Sequence, residues 1–464
     1  MSHSADHAVS SLASPFMPAR DLICHRSRRW FLQTGLTGAA GLSLPALLAA
    51  QARANDPHPG PLPRGEGAAK KSVILFWLSG GPSHIDMWDP KPDAPQEIRS
   101  PFGTIQTKLP GVQFTEHLPL QASIADKLSI IRSVDCSASN HTPITMQAGN
   151  PLARRTDDNR DGGGYPSMGS IVAKYRGSNG ADMPAFIGLA PSWVADVYGS
   201  GYLGAKYEPV KGLELTGKFA LPAGMELSRM SGRDQLRAQF DRVRQEVDRK
   251  DTMEQFDRFT RQAYDMVLSG KVQKAFNLDE EKETTRREYG GSRVGDKAIM
   301  ARRLVEAGVT FVLVSGAWGY WDHHGDQVQW GGIEKGLKPI LPEVDRALFA
   351  LVNDLEQRGL LDSTLILMLG EFGRSPVINK DAGRDHWTAV MSMLLAGGGL
   401  KHGQVIGATD SRGGGPISSV VRPQDLAATV FRHMGIDQKT HWINPQGRPI
   451  PIVSEGGRPI PELF

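Results

Sequence analysis

The chain has 464 residues, with 53 Lys or Arg against 50 Asp or Glu, so its formal net charge is only +3. This near balance excludes the strongly basic surface that nucleic-acid binding requires, and no nucleic-acid partner is expected. The two cysteines are Cys24 and Cys136. Because Cys24 lies in the N-terminal leader described next, we expect neither an internal disulfide nor a cysteine-rich zinc site.

Residues 1–54 have the features of a twin-arginine signal peptide. Arg28 and Arg29 are followed by Trp and Phe, and then by an uncharged stretch at 34–50 that is rich in Gly, Ala and Leu. Ala-Arg-Ala at 52–54 is a small-residue cleavage signal. We therefore predict that the twin-arginine export machinery carries the folded protein to the periplasm or the medium. A membrane anchor is the alternative, but the stretch is shorter and less apolar than the roughly 20 residues of a span, so none is expected after cleavage.

The mature part is predicted to be a Pro/Gly-rich linker at 55–70 followed by a single α/β domain over 71–464. Continuous apolar runs in this domain are typical of strands that are buried on both faces of a parallel sheet. Such runs occupy residues 72–78, 128–134, 309–314, 364–369 and 392–396. With helices predicted between them, the expected fold class is α/β, a doubly wound, mostly parallel sheet flanked by helices.

Two further segments differ from this pattern. Residues 228–289 are dense in charge and show helical spacing of apolar residues, which predicts a packed helical insertion. A coiled coil is the competing interpretation, but no heptad persists. Residues 184–227 are rich in Gly, Pro and aromatic residues, which indicates irregular loops or short strands.

Polar loops follow the predicted strands, where ligands of an open α/β sheet bind. Any one histidine in these loops is more often a hydrogen-bonded loop residue than a ligand, so the convergence of several loops is the informative feature. Histidine with Asp and Glu is the ligand set for Zn²⁺, which is the expected ion, with Mn²⁺, Mg²⁺ or Ca²⁺ as alternatives. The sequence therefore predicts a divalent-metal site beyond the strand ends.

Three long motifs carry a family resemblance. GGPSHIDMWDPKP at 80–92, GEFGRSP at 370–376 and GRDHW at 383–387 resemble those of the domain-of-unknown-function 1501 family. The resemblance covers most of residues 70–436. This family in turn resembles the alkaline phosphatase/sulfatase superfamily. The resemblance implies a metal-dependent hydrolase of phosphate esters, with sulfate esters less favoured, acting on a small-molecule or polysaccharide ester.

The superfamily resemblance also implies a two-metal site, and a hydroxyl or formylglycine nucleophile at a helix N-terminus after the second strand. Its spacing of ten residues to a following glycine selects Ser139, counted back from Gly149. Thr142 is the reserve nucleophile, and Asn140 and His141 are the polar partners. A helix N-cap is the competing role for Ser139. Sulfatase chemistry is less favoured because no x-Pro-x-Arg follows Ser139.

For the metal, the resemblance implies that Asp322 and His324 form a ligand pair, with His386 as the distal histidine. Glu371, at the end of the fourth strand, and Asp385 are the further carboxylate candidates.

The other half of the site departs from the superfamily pattern. Ser79 stands where the first strand usually ends in an Asp ligand, so Asp86 or His84 would have to substitute for it. Phe372 stands where a His usually follows the carboxylate of the fourth strand.

Two arginines are candidates for substrate contact. Arg374 or Arg384 would hold the non-bridging oxygens of the ester bidentately. The rival hypothesis is a catalytically degenerate protein that serves as an envelope or polysaccharide-binding platform. It draws on the missing ligands and on the aromatic residues Trp318, Tyr320 and Trp321, which the sequence suggests are exposed.

Overall fold

The computed structural model describes residues 70–153, 162–180, 182–214, 270–317 and 319–464. The predicted leader at 1–54, most of the linker, and residues 228–269 of the predicted insertion lie outside the described residues. Within the described ranges, no helix has both the length and the apolar character needed to cross a membrane.

The described residues form sixteen strands and nine α-helices, connected by loops and short 3₁₀ turns. The strands are β1 Ser72–Trp77, β2 Thr104–Gln106, β3 Gln113–Thr115, β4 Leu128–Val134, β5 Phe186–Leu189, β6 Val210–Lys211, β7 Phe311–Ser315, β8 Thr364–Leu369, β9 Gly373–Arg374, β10 His386–Trp387, β11 Met391–Gly397, β12 Gln404–Ile406, β13 Ala408–Thr409, β14 Pro416–Ser418, β15 His441–Ile443 and β16 Pro449–Pro451. The helices are α1 Pro119–Ser123, α2 Ile144–Ala148, α3 Met168–Tyr175, α4 Trp193–Asp196, α5 Lys271–Phe276, α6 Glu283–Glu288, α7 Arg293–Ala307, α8 Lys338–Gln357 and α9 Pro423–Met434.

Eight strands form the central sheet, in the order β12-β4-β11-β8-β1-β7-β5-β6. β1 is parallel to both of its neighbours, β7 and β8, and β5 is parallel to β6 and β7. β11 is antiparallel to β4 and β8. The predicted fold class, a doubly wound and mostly parallel sheet flanked by helices, is therefore confirmed.

The apolar strands separate two hydrophobic cores. In β1, Val73, Leu75 and Trp77 pack into one core, whereas Ile74 and Phe76 pack into the other. This alternation requires helices on both faces, because each face of the sheet must be covered from water. α7 and α8 cover one face, and α3 and α9 cover the other.

Local signals set the ends of the covering helices. The hydroxyl of Ser292 accepts the N–H of Gly295 at the start of α7, and Gly308 ends this helix in the left-handed conformation. The helices predicted between the strands are present before β7 and β8 as α7 and α8. This arrangement places the loops after β1, β4, β7 and β8 at one edge of the sheet.

Candidate metal centre

Three side chains from three separate loops meet beyond the strand ends. His141 follows β4, Asp322 follows β7, and His386 lies in β10, and each offers one ligand atom within 4.8 Å of the others. Nε2 of His386 lies 2.9 Å from Oδ1 of Asp322, and Nε2 of His141 lies 3.4 Å from Oδ2. We call these three residues the His-Asp-His centre.

His324 joins the same cluster from the Asp322 loop. Its Nε2 lies 2.8 Å from Nε2 of His386 and 3.0 Å from Oδ1 of Asp322. Two imidazole nitrogens this close need either a shared proton or a common cation. Four ligands at the usual zinc distances lie about 3.3 Å apart in a tetrahedron. The spacing of these donors therefore fits a divalent-metal site. Its ligands are mostly imidazole nitrogens, which suit Zn²⁺.

The Asp322 carboxylate is held from the opposite side by Arg374. The Nη2 group of Arg374 donates to Oδ1 of Asp322 and to the carbonyl oxygen of Trp321. β10 pairs with β9 so that His386 lies opposite Arg374, which brings both residues to Asp322. Burial would raise the pKa of Asp322, but hydrogen bonds from His141 and His386 and the charge of Arg374 outweigh it and hold the pKa far below its ordinary value. Asp322 is therefore a permanent carboxylate.

Glu371 orients His141. The Nδ1–H of His141 donates to Oε1 of Glu371 at 3.0 Å, and the N–H of Gly80 donates to the same oxygen at 2.7 Å. Burial would lower the pKa of His141, but hydrogen bonds to Asp322 and Glu371 outweigh it and raise the pKa to about 9. Glu371 thus fixes the ring so that Nε2 faces the centre, the role that a carboxylate behind a ligating histidine usually has.

A glycine allows this close approach. Gly80 has φ +108°, in the region that favours glycine, and an added Cβ there would lie 2.6 Å from the backbone nitrogen of Asp322. The Gly-Gly-Pro turn after β1 is therefore needed for the Asp322 loop to pack against it.

The hydrogen bond between Glu371 and His141 leads to a prediction for the metal-free protein. In Glu371→Gln, the pKa of His141 should fall from about 9 by about one unit or more, because the variant removes a negative charge beside the ring. An NMR titration of the histidine ring protons in the presence of a chelator measures this pKa. Glu116→Gln, which changes an exposed carboxylate that accepts the N–H of Gly103, is the matched control. An unchanged His141 pKa in Glu371→Gln would contradict the assigned pairing.

In the structure, Arg374 and Arg384, the arginines expected to hold substrate oxygens, are bound by oxygens of the protein itself. Both guanidinium groups are buried, and their N–H groups are already bound by protein oxygens. Arg374 donates to the carbonyl oxygens of Gly80, Gly81 and Arg384 as well as to Asp322. A guanidinium bound in this way positions Asp322 and has no free edge for an ester.

Asp86 and His84, the residues expected to substitute for the missing ligand, also have other partners in the structure. Asp86 forms a fully buried ion pair with Arg384, with Oδ2 2.7 Å from Nε and Oδ1 3.1 Å from Nη2. His84 is buried, with Nε2 2.9 Å from the carbonyl oxygen of Gly413. Burial lowers the pKa of His84, and the imidazole stays neutral in this structural contact. Both residues lie deeper in the loop, outside the His-Asp-His centre.

The predicted helix after β4 starts later than expected. Gly149 does end this helix, in the left-handed conformation, but α2 begins only at Ile144. Ser139 therefore does not stand at a helix N-terminus, because a residue before a proline avoids the helical region and Pro143 delays the helix. The N-cap alternative for Ser139 is wrong for the same reason.

Ser139 and Thr142, which precede the helix, are nevertheless close in sequence to His141 of the His-Asp-His centre. Ser139 is buried, and its hydroxyl makes a long contact, 3.5 Å, to the carbonyl oxygen of Asn140. Thr142 is half-buried, and its hydroxyl donates to Oδ1 of Asn140 at 2.7 Å. These residues flank His141, which the sequence had indicated only as a polar partner of the nucleophile.

Asp385 lies at the rim of the site. Its Oδ1 accepts from Asn379 at 3.0 Å and lies 3.4 Å from Nδ1 of His324, so it contacts a member of the cluster without joining it.

The aromatic residues proposed as an exposed platform do not form one. Trp321 is buried and Tyr320 is half-buried, while Trp318 lies outside the described residues.

Solved structures with a similar fold are distant in sequence. A sulfatase from Pseudoalteromonas sp. is 12% identical, with a TM-score of 0.34, over 84% of this chain and 71% of that chain. A phosphonate monoester hydrolase from Silicibacter pomeroyi is 11% identical, with a TM-score of 0.35, over 84% of this chain and 76% of that chain. The lipoteichoic acid synthase LtaP from Listeria monocytogenes is 11% identical, with a TM-score of 0.36, over 88% and 81%.

Curated proteins contain no significant match to this sequence. The sequence does match a family described as "Protein of unknown function (DUF1501)" over residues 70–464. This range includes all three motifs that carried the resemblance and every residue of the His-Asp-His centre. The chain belongs to the DUF1501 family.

Proposed function

We propose that this protein is an exported, divalent-metal-dependent hydrolase of phosphate esters, with sulfate esters as less favoured substrates. The observation that carries the proposal is the meeting of His141, Asp322 and His386, from three loops, at the edge of the sheet where α/β enzymes bind ligands. Zn²⁺ is the favoured ion because two or three imidazoles and one carboxylate dominate the donor set. A small-molecule or polysaccharide ester is the proposed substrate.

The residues of the site have distinct tasks in this proposal. His141, Asp322 and His386 hold the cation, with His324 as a fourth donor. A bound divalent cation supplies Lewis-acid stabilisation of the ester oxygens and lowers the pKa of an attacking hydroxyl. Glu371 keeps the His141 ring in its tautomer through the Nδ1–H hydrogen bond.

The geometry of the carboxylate is fixed by its partner. Arg374 donates to Oδ1 of Asp322 and, after the hydrogen bonds of His141 and His386, helps to hold the pKa of Asp322 below its ordinary value. Because Arg374 is bound by carbonyl oxygens on its other edges, its position does not depend on substrate.

The hydroxyl of Ser139 or of Thr142 is the proposed nucleophile. If Ser139 forms the covalent intermediate, Ser139→Ala should lower the hydrolysis rate of an aryl phosphate by about 10³-fold or more. Thr142→Ala should then retain turnover, and the reverse pattern would assign the role to Thr142. Steady-state kinetics with metal content measured on the same samples checks this. Near-normal turnover in both variants would contradict a hydroxyl nucleophile in this loop.

The direct test of the proposed function uses the purified mature protein loaded with zinc. Aryl phosphate, aryl phosphodiester and aryl sulfate substrates should be compared, with and without a chelator. We expect phosphate ester hydrolysis that is lost with the chelator and restored by zinc. Stoichiometric metal without turnover of any of the three substrates would contradict the proposal.

One observation favours the second candidate function, a non-catalytic binding platform. Arg374 and Arg384, the arginines closest in sequence to the site, are both buried and bound to protein oxygens, so neither is available to hold an oxyanion. The absence of turnover in a fully metal-loaded protein would support this alternative.

Export through the twin-arginine pathway is the proposed route to the periplasm or the medium. Replacing Arg28 and Arg29 together by lysine should leave the precursor in the cytoplasm, because the exporter recognises the paired arginines. Cell fractionation with immunoblotting measures this, and N-terminal sequencing of the exported form should begin at Asn55. Normal export of the double-lysine variant would contradict the assignment.

A further inference from the structure

An open cleft of about 450 Å³ lies against the strand that carries His386. Its walls are residues 375–377, which follow β9, Trp387 of β10, Ile98, and residues of the turn that joins β13 and β14. This volume is within the range of about 300–1,000 Å³ that is typical of small-molecule sites. Trp387 directly follows His386, so the cleft is one residue along the chain from the His-Asp-His centre. We call it the Trp387 cleft.

A buried ion pair holds one wall of the Trp387 cleft. The guanidinium group of Arg384 donates to the carbonyl oxygens of Ile98 at 2.9 Å and Ser375 at 3.3 Å, and also to that of Pro376. All three of these residues line the cleft. Asp86 binds the remaining edge of the same guanidinium group. This pair, which lies outside the metal centre, therefore positions one side of the cleft.

Two further side chains hold the opposite wall, the turn between β13 and β14. Nε2 of His84 lies 2.9 Å from the carbonyl oxygen of Gly413, and the Nε1–H of Trp387 donates to the carbonyl oxygen of Gly414 at 2.7 Å. The turn is therefore fixed from below by a buried imidazole and from the side by the indole. Both walls are thus built by residues of the motifs at 80–92 and 383–387, including those that the metal centre does not use.

The turn presents one free cation to the Trp387 cleft. The side chain of Arg412 is exposed, and within the described ranges it makes neither a hydrogen bond nor an ion pair. Asp410 lies beside it, but its Oδ1 accepts the backbone N–H groups of Arg412 at 2.8 Å and Gly414 at 3.0 Å. The carboxylate therefore closes the turn, while the guanidinium group remains available to a ligand.

The charges around this turn favour an anion. Asp89 pairs with Lys91 at 3.1 Å and with Arg132 at 3.3 Å, and Lys91 also acts on Asp410 electrostatically. With Arg412, three positive groups stand against the two carboxylates, so these five groups sum to +1. A ligand with a negative charge is therefore attracted to this side of the cleft.

The other side of the Trp387 cleft is apolar. Trp387 is 38% exposed and Val377 is 46% exposed, although both are large and apolar. Pro376 and Ile98 line the cleft with them. An indole whose N–H is already bound to the protein offers its ring to a partner ring, against which it gains both contact area and stacking.

We propose that the Trp387 cleft binds a ring that carries an anionic group, with the ring against the indole of Trp387 and the anion on Arg412. In the proposed function, this ring would belong to the part of the ester that is not hydrolysed, and that use of the cleft rests on the proposed function. The same chemistry occurs in sugar acids and in aryl acids, which the experiment distinguishes.

The experiment follows the indole N–H resonance of Trp387 in ¹⁵N-labelled mature protein, assigned by its absence in Trp387→Phe. The probes are two pairs that differ in charge: D-glucuronate with D-glucose, and benzoate with benzyl alcohol. In at least one pair, we expect the anion to shift this resonance and to bind about fivefold or more tightly than its neutral partner. The pair that shows this preference identifies the ligand as a sugar acid or an aryl acid.

Arg412→Met should remove the preference, because it deletes the cation and keeps most of the apolar stem. Arg448→Met is the matched control, since Arg448 is an equally exposed arginine in the turn between β15 and β16. The control should keep the preference of the wild type. Both positions are on the surface, so neither variant is expected to impair folding.

Three results would overturn the inference. One is a Trp387 resonance that none of the four probes shifts. Another is equal affinity for the charged and the neutral member of both pairs, and the third is a preference that survives in Arg412→Met. These titrations need no turnover, so the proposed hydrolase function is decided separately by its own test.

Discussion

Asp322→Ala is expected to weaken zinc binding at the His-Asp-His centre strongly and, with it, the proposed hydrolase activity. The carboxylate is the common neighbour of His141, His324 and His386, at distances of 2.9–3.4 Å. Without it, three imidazoles remain with no anionic donor, and the charge of Arg374 faces the cation directly. Loss of a partner that only orients a ligand typically costs 10- to 100-fold in metal affinity, so we expect about 100-fold or more for this ligand.

Calorimetric zinc titration together with elemental analysis measures this effect. Asp326→Ala is the control, since Asp326 lies on the same loop but pairs with Lys335 at 2.8 Å. The control should bind zinc like the wild type. Zinc affinity within a few fold of wild type in Asp322→Ala would show that the ion, if bound, lies elsewhere.

Arg384→Met is expected to cause the largest loss of stability. It leaves Asp86, which is 0% exposed, as a buried carboxylate without its counter-ion. Breaking a buried ion pair in this way typically costs about 3–5 kcal/mol in the free energy of unfolding. Carbonyl oxygens of Ile98 and Ser375 also lose their donor.

The double variant Asp86→Leu with Arg384→Met separates charge from packing. Removing both charges should restore part of the loss, because an apolar pair is often as stable as a buried ion pair, while the carbonyl oxygens stay unpaired. Urea denaturation followed by circular dichroism measures each free energy, with exposed Arg412→Met as the control. A loss below about 1 kcal/mol in Arg384→Met, as for a surface pair, would contradict the structural role.

The sheet could be predicted from the sequence because its strands are apolar on both faces. β4 and β8 begin and end at the predicted residues, and β1, β7 and β11 lie within two residues of prediction. The antiparallel direction of β11 could not be predicted, since an apolar run has the same pattern in either direction. β5 is four residues long and lies in the segment 184–227, for which the sequence left irregular loops and short strands open as alternatives.

Part of the site was also accessible from the sequence. Asp322, His324 and His386 were expected together from the family resemblance, and the structure brings them together. The ion pair between Asp86 and Arg384 could not be predicted, because it joins residues 298 positions apart and burial is not visible in a motif.

The central claim is that the His-Asp-His centre binds a divalent metal. Anomalous diffraction at the zinc edge, from crystals of the mature protein grown with one equivalent of Zn²⁺, tests it most directly. The account predicts a single strong peak in contact with His141, Asp322 and His386, at ligand distances of about 2.0–2.2 Å. No peak at this position, in protein that is folded and saturated with zinc, would contradict it.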